Sequence, residues 1–145
     1  PPEQIAENED DLESQAVERD FLTREWDSLE PAMLDRNWQS LHFMTAPAFV
    51  YYIPAYLQLC LTDPEPGGVL DTVVSALTVT GDAELDMWTK RRQEGFTDGQ
   101  REVIADFLSY MDERYQGDID GLMHRAAEQW QDWSSASATG DKSGA

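Results

Sequence analysis

The sequence is poor in the residues that build disulfide scaffolds and metal centres. It has one cysteine, Cys60, and two histidines, His42 and His124. A single cysteine excludes an internal disulfide framework and a multi-cysteine zinc site. Neither histidine belongs to a local metal-binding motif, so we predict no metal ligand and no cofactor. No run of about 18 apolar residues is present, so we predict no membrane-spanning helix.

Basic residues are also scarce. Ten lysines and arginines stand against 29 acidic residues, which gives a formal net charge of −19 at pH 7. Nucleic acids and anionic membrane surfaces both require positive charge, so we expect neither as a direct partner. One interpretation is an acidic surface that docks a basic partner with steered association. The other is adaptation of a whole proteome to high salt, which the presence of only two lysines favours.

The acidic residues are concentrated at the start of the chain. Residues 1–35 contain twelve acids but only two bases, Arg19 and Arg24. An acidic helix in this region is suited to a basic protein surface. We therefore predict partner contacts by Asp10, Asp11, Glu13, Glu18, Asp20, Glu25 and Asp27.

Composition predicts three segments along the chain. Residues 1–9 are polar with a double proline and are expected to form a flexible lead-in. Residues 10–133 are predicted to be a single helical domain, and residues 134–145 a low-complexity, flexible tail. No charged-then-apolar signal segment is present, so we expect a cytoplasmic location. The oligomeric state is left open.

Helical spacing of the apolar residues predicts an all-α fold of about five or six helices. The first helix is predicted to start at Asp10, and Pro31 is expected to end or bend it. Thr97 and Gln100 form a capping-box pattern at the start of a later helix. No convincing alternating strand pattern appears.

Residues 46–61 are predicted to form the central helix of the core. This stretch carries no charge, and a helix that is apolar all round is typical of a fully buried element. Thr45 is a suitable N-cap, and Pro47 fits the first helical turn. Pro54 lies inside the segment and is expected to kink the helix.

The residues Phe49-Val-Tyr51-Tyr52-Ile-Pro54-Ala-Tyr56-Leu57 carry a family resemblance. They resemble the signature of an uncharacterised bacterial family of unknown function, which reads aromatic-x-Tyr-Tyr-Leu-Pro-Ala-Tyr-Leu. The elements Trp38-x-x-Leu41 and Thr97-x-x-Gln100 resemble further parts of that family in the same order. The resemblance runs from about Phe21 to Tyr115 and implies membership, with no catalytic residues to carry over.

The tyrosine cluster supports two interpretations. Tyr52 and Tyr56 are one helical turn apart on one face, which is usual for core residues whose hydroxyls reach polar partners. A free cysteine in an apolar helix is likewise typical of a buried residue. The alternative is a small-ligand or enzymatic pocket lined by His42, Tyr51, Tyr52, Tyr56 and Cys60.

The function that the sequence favours is an acidic, non-enzymatic protein-binding module, with an inhibitor or immunity-type protein as the concrete version. No nucleophile-elbow, phosphate-loop or dinucleotide motif points to an enzyme. The pocket at the tyrosine cluster and a salt-adapted interaction scaffold stay as alternatives.

Overall fold

The computed structural model describes residues 1–8, 10–115 and 121–143, with residues 136–143 described by their backbone alone. These residues contain helices and no β-strand, which confirms the all-α prediction. The α-helices are α1 (Leu12–Phe21), α2 (Pro31–Arg36), α3 (Ala46–Thr62), α4 (Gly67–Leu77), α5 (Ala83–Gln93), α6 (Asp98–Arg114) and α7 (Leu122–Ser143), and two 3-10 helices span Trp26–Ser28 and Ser40–Phe43.

The chain divides into two compact units, residues 1–76 and residues 77–145. Each unit is described by itself below. Among the described residues, no helix is both long enough and apolar enough to cross a membrane.

Helix α3 supplies the core of the first unit, as its charge-free sequence predicts. The Thr45 hydroxyl accepts a hydrogen bond of 3.2 Å from the Ala48 amide and caps the helix. The helix continues through Pro54. Its inward side chains are buried, whereas Gln58 and Leu61 are exposed. The predicted core helix at residues 46–61 is therefore present, but the expectation that it is buried on all sides is wrong, because one side is open to solvent.

The prediction that Pro31 ends or bends the first helix is wrong. Helix α1 already ends at Phe21, and Thr23 adopts a left-handed backbone with φ of 64°, which a β-branched residue rarely does. Pro31 instead opens α2, because proline suits the first helical position, where no amide donor is needed. Leu12, the first residue of α1, is 83% exposed.

The first residues of the chain are packed within the first unit, whereas the sequence suggested a flexible lead-in. Ile5 and Ala6 are buried. Their amides donate to one carboxylate oxygen of Glu18, each at 2.8 Å. The Thr45 amide donates to the Ile5 carbonyl at 2.7 Å. Glu18 therefore replaces the solvent that these two buried amides lose on folding.

The second unit is built around α6, α7 and a buried tryptophan. The indole N–H of Trp130 donates to the Leu77 carbonyl at 2.8 Å, and its ring contacts those of Phe96 and Trp133 edge-on. The predicted capping box of α6 is present, with reciprocal Thr97 and Gln100 bonds. Helix α7 continues to Ser143, past the start of the expected flexible tail.

Candidate functional site

Three of the seven acids predicted to contact a partner are engaged within the chain. The Asp11 carboxylate caps α1 by accepting from the amide of Ser14 at 2.7 Å and from its hydroxyl at 3.0 Å. Glu18 holds the buried amides at the start of the chain. Asp20 pairs with Arg19 at 3.3 Å. These carboxylates contribute to structure.

We use the name acidic surface for the other four acids: Asp10 and Glu13 near the start of α1, and Glu25 and Asp27 after its end. All four are exposed, and in the described part of the chain none of their carboxylates has an ion-pair partner. Residues 1–76 hold 15 acids and three bases, a formal charge of 3 − 15 = −12, whereas residues 77–145 hold 14 acids and seven bases, or 7 − 14 = −7. Most of the excess negative charge therefore belongs to the first unit.

The five residues of the predicted tyrosine pocket occupy different environments. Tyr52, Tyr56 and Cys60 are completely buried, Tyr51 is half-buried and His42 is exposed. Burial, aided by the nearby charge of Asp63, raises the pKa of the Cys60 thiol to about 12. The thiol is therefore protonated at neutral pH, and a protonated thiol is a poor nucleophile.

The two buried hydroxyls are hydrogen-bonded to distant backbone. The Tyr52 hydroxyl lies 2.7 Å from the Phe21 carbonyl oxygen and 2.6 Å from that of Arg24, so its single hydrogen is shared between two acceptors. The Tyr56 hydroxyl donates to the Asn37 carbonyl at 2.8 Å. Burial raises the pKa of Tyr52 to about 12 and also raises that of Tyr56. Both tyrosines are therefore neutral donors.

The backbone segments held by these hydroxyls contribute to the walls of a polar cleft. Arg24 belongs to the turn that follows α1, and Asn37 follows the end of α2. The cleft has a volume of about 510 Å³. Its lining consists of Asp20, Arg24, Ser28, Glu30, Met33, Arg36 and Asn37.

The cleft concentrates the few positive charges of the first unit. Arg24 and Arg36 are two of the three bases in residues 1–76, and both line it. Asp20 and Glu30 line it as well, so the charged groups of the lining sum to zero within a unit that carries −12. Among these residues, sequence reasoning gave only Asp20 as a candidate contact. The scarcity of bases in the sequence is a signal that could have drawn attention to the two arginines.

The predicted tyrosine pocket does not coincide with this cleft. None of its five residues lines the cleft, although Tyr52 and Tyr56 bond to the backbone of its walls. A smaller cavity of about 330 Å³ in the same unit is lined by other residues, including Ser14, Glu18 and Leu22. The tyrosines therefore position the walls of a cavity without entering it.

The basic run Lys90-Arg91-Arg92 does not form a continuous exposed patch. Arg92 is completely buried, with its guanidinium 3.2 Å from the ring centroid of Trp88. Arg101 stacks in the same way over Trp133 at 3.9 Å. Cation–π packing of this kind stabilises the second unit. In the described residues, no three His, Cys, Asp or Glu side chains are grouped to hold a metal ion.

The fold and the cleft define an all-α, strongly acidic chain whose first unit carries a mixed-charge cavity. The chain belongs to a family of unknown function (DUF6714), whose model matches residues 4–135. This match confirms the predicted membership of an uncharacterised family and extends beyond the expected residues 21–115 at both ends. No curated protein and no solved structure matches the chain.

Proposed function

We propose that the chain is an acidic, non-enzymatic binding module that docks a basic protein surface, in the manner of an inhibitor or immunity-type protein. The observation that carries this proposal is the acidic surface: Asp10, Glu13, Glu25 and Asp27 are exposed and have no intramolecular ion pair among the described residues. They lie in a unit with a formal charge of −12. A field of this sign raises the association rate with a basic partner.

The test begins with a host protein captured on the full chain and identified, whose affinity is then measured at several salt concentrations. Exposed charges more than a Debye length apart are largely screened at moderate ionic strength. We therefore expect the association rate to fall about tenfold or more between roughly 50 and 300 mM salt. An affinity that does not change with salt would contradict the proposal.

Two variants with the same net charge distinguish binding through the acidic surface from binding that depends only on the net charge of the chain. The first neutralises the acidic surface, with Asp10→Asn, Glu13→Gln, Glu25→Gln and Asp27→Asn. The control neutralises four exposed acids of the second unit, with Glu94→Gln, Glu102→Gln, Asp106→Asn and Glu113→Gln. Both carry −19 + 4 = −15.

We expect only the first variant to slow association markedly, because steering depends on charge near the contact. Equal loss in both variants would mean that the net charge, and not this surface, determines binding. If binding is unaffected in both and the wild type unfolds at low salt but not in molar salt, the acidity is a salt adaptation.

A further inference from the structure

The two arginines of the polar cleft lack carboxylate partners. Arg24 and Arg36 form no ion pair among the described residues, although Asp20 and Glu30 line the same cavity. Asp20 is paired instead with Arg19, the third base of the unit. Residues 1–76 contain five acids for each base, yet the two guanidinium groups that line this cavity are unpaired. They are therefore available to an external anionic group.

The charge pattern selects among ligand classes. A guanidinium fork matches a carboxylate or a phosphate through two parallel hydrogen bonds. The surrounding charge of −12 opposes a multiply charged anion. A dication would face Arg24 and Arg36 at short range, where like charges repel most strongly. A zwitterion avoids both costs, because its two groups meet opposite charges and its net charge is zero.

We propose that the cleft binds a small zwitterion of the amino-acid or short-peptide class, with its carboxylate on Arg24 and Arg36 and its ammonium group on Glu30, while Asp20 keeps its pair with Arg19. The volume of about 510 Å³ lies within the usual range of small-molecule pockets, about 300 to 1,000 Å³. This site is independent of the docking surface, since none of the four exposed acids lines the cleft.

Tyr52 and Tyr56 act as positioning residues for this site. Both are completely buried, and through their hydroxyls they fix the backbone of two residues that line the cavity, Arg24 and Asn37. A cavity with walls fixed in advance loses less conformational entropy when a ligand binds. The buried aromatic residues of α3 therefore have a consequence at the surface.

The test is calorimetric titration of the full chain with three four-carbon probes that carry different end charges: 4-aminobutanoate, succinate and 1,4-diaminobutane. Diglycine serves as a second zwitterion with a different separation of charges. We expect both zwitterions to bind about tenfold or more tightly than succinate or the diamine, since each of those loses one charge-assisted contact.

Single substitutions assign the contacts. Arg36→Gln and Glu30→Gln alter exposed side chains, and each is expected to weaken the zwitterions about tenfold. Glu65→Gln and Arg91→Gln, exposed positions outside both the cleft and the acidic surface, are matched controls that should bind as the wild type does. Circular dichroism checks the fold of all four.

Three results would overturn the proposal: no binding of either zwitterion at millimolar concentration, succinate binding as tightly as 4-aminobutanoate, or wild-type affinity in both cleft variants. Failure of protein docking would leave these titrations unchanged, so the two proposals are separable.

Discussion

The hydroxyl of Tyr56 donates a 2.8 Å hydrogen bond to the backbone carbonyl of Asn37, 19 residues earlier in the chain. Tyr52, one helical turn before Tyr56, bonds in the same way to the backbone at Phe21 and Arg24. Two neighbouring side chains of α3 thus fix two separate segments. The hydroxyl groups of these tyrosines therefore contribute to the fold, as their buried rings do.

Removing the Tyr56 hydroxyl tests this relationship. Tyr56→Phe keeps the ring and leaves the Asn37 carbonyl with the Ser40 amide, at 3.0 Å, as its donor. Loss of one hydrogen bond of this kind costs about 0.5–1.5 kcal/mol, and we expect that loss in the free energy of unfolding. Denaturant titration measures it. Tyr51→Phe is the control, since Tyr51 is half-buried, and it should change stability by less than about 0.5 kcal/mol. Equal losses would contradict the assigned role.

Glu18→Gln is expected to release the first residues of the chain. The carboxylate accepts hydrogen bonds from two buried amides. Each hydrogen bond to a charged group contributes at most about 1.5–3 kcal/mol to the free energy of unfolding. Faster hydrogen exchange at Ile5 and Ala6 is the expected result. Glu13→Gln on the same helix is the control, because its side chain is exposed. Unchanged protection in Glu18→Gln would show that burial alone holds this segment.

His124 is expected to make the second unit less stable as the pH rises. Its ring contacts the carboxylate of Asp112 on α6 at 2.8 Å and that of Glu128 at 3.2 Å. The hydrogen bond to Asp112, followed by the charge of Glu128, raises the pKa of His124 above 6.5. Only the protonated ring can donate to both acids.

A raised folded-state pKa fixes the direction of this pH effect. The contribution of His124 is fully present below about pH 6.5 and is lost as the pH rises through the higher folded-state value. The melting temperature of the wild type should therefore approach that of His124→Gln at alkaline pH. Nuclear magnetic resonance titration of the ring gives the pKa directly, and a value at or below the ordinary one would refute the assignment.

Trp130→Phe is expected to destabilise the second unit by about 2–4 kcal/mol. The substitution removes one of the two side-chain donors to the Leu77 carbonyl, the other being Gln93 at 3.2 Å. It also leaves a void in a position that is 1% exposed. Trp133 is half-buried, stacks with Arg101 and contacts Trp130 edge-on; Trp133→Phe keeps an aromatic ring for both contacts and should cost about 0.5–1 kcal/mol. Thermal unfolding compares the two variants, and the reverse order would contradict the packing described.

Local sequence signals predicted much of the fold. The absence of charge in α3, its Thr45 cap and the Thr97–Gln100 capping box depend on neighbours within a few residues, so they could be read directly. Pro31 was misjudged because proline both breaks a helix interior and suits a first turn. The turn at Thr23, which follows the end of α1 well before Pro31, contains no glycine that would have indicated it in the sequence.

The candidate site was harder to predict, because its contacts join distant parts of the chain. Asp11 and Glu18 both read as free acids in the sequence, yet the amides that Glu18 binds lie 12 and 13 residues away. Similarly, no local pattern relates Tyr56 to Asn37. The scarcity of bases could have drawn attention to Arg24 and Arg36, but composition alone does not bring two side chains to one cavity.

The reaction rate of the single thiol can report how often the core of the first unit opens. Cys60 is completely buried in the core of the first unit, and residues 77–145 contain no cysteine. A thiol reagent can therefore react only when that core opens, and its rate reports the opening of one unit alone. Ligands of the cleft or of the acidic surface that stabilise the first unit would slow this reaction without any engineered label.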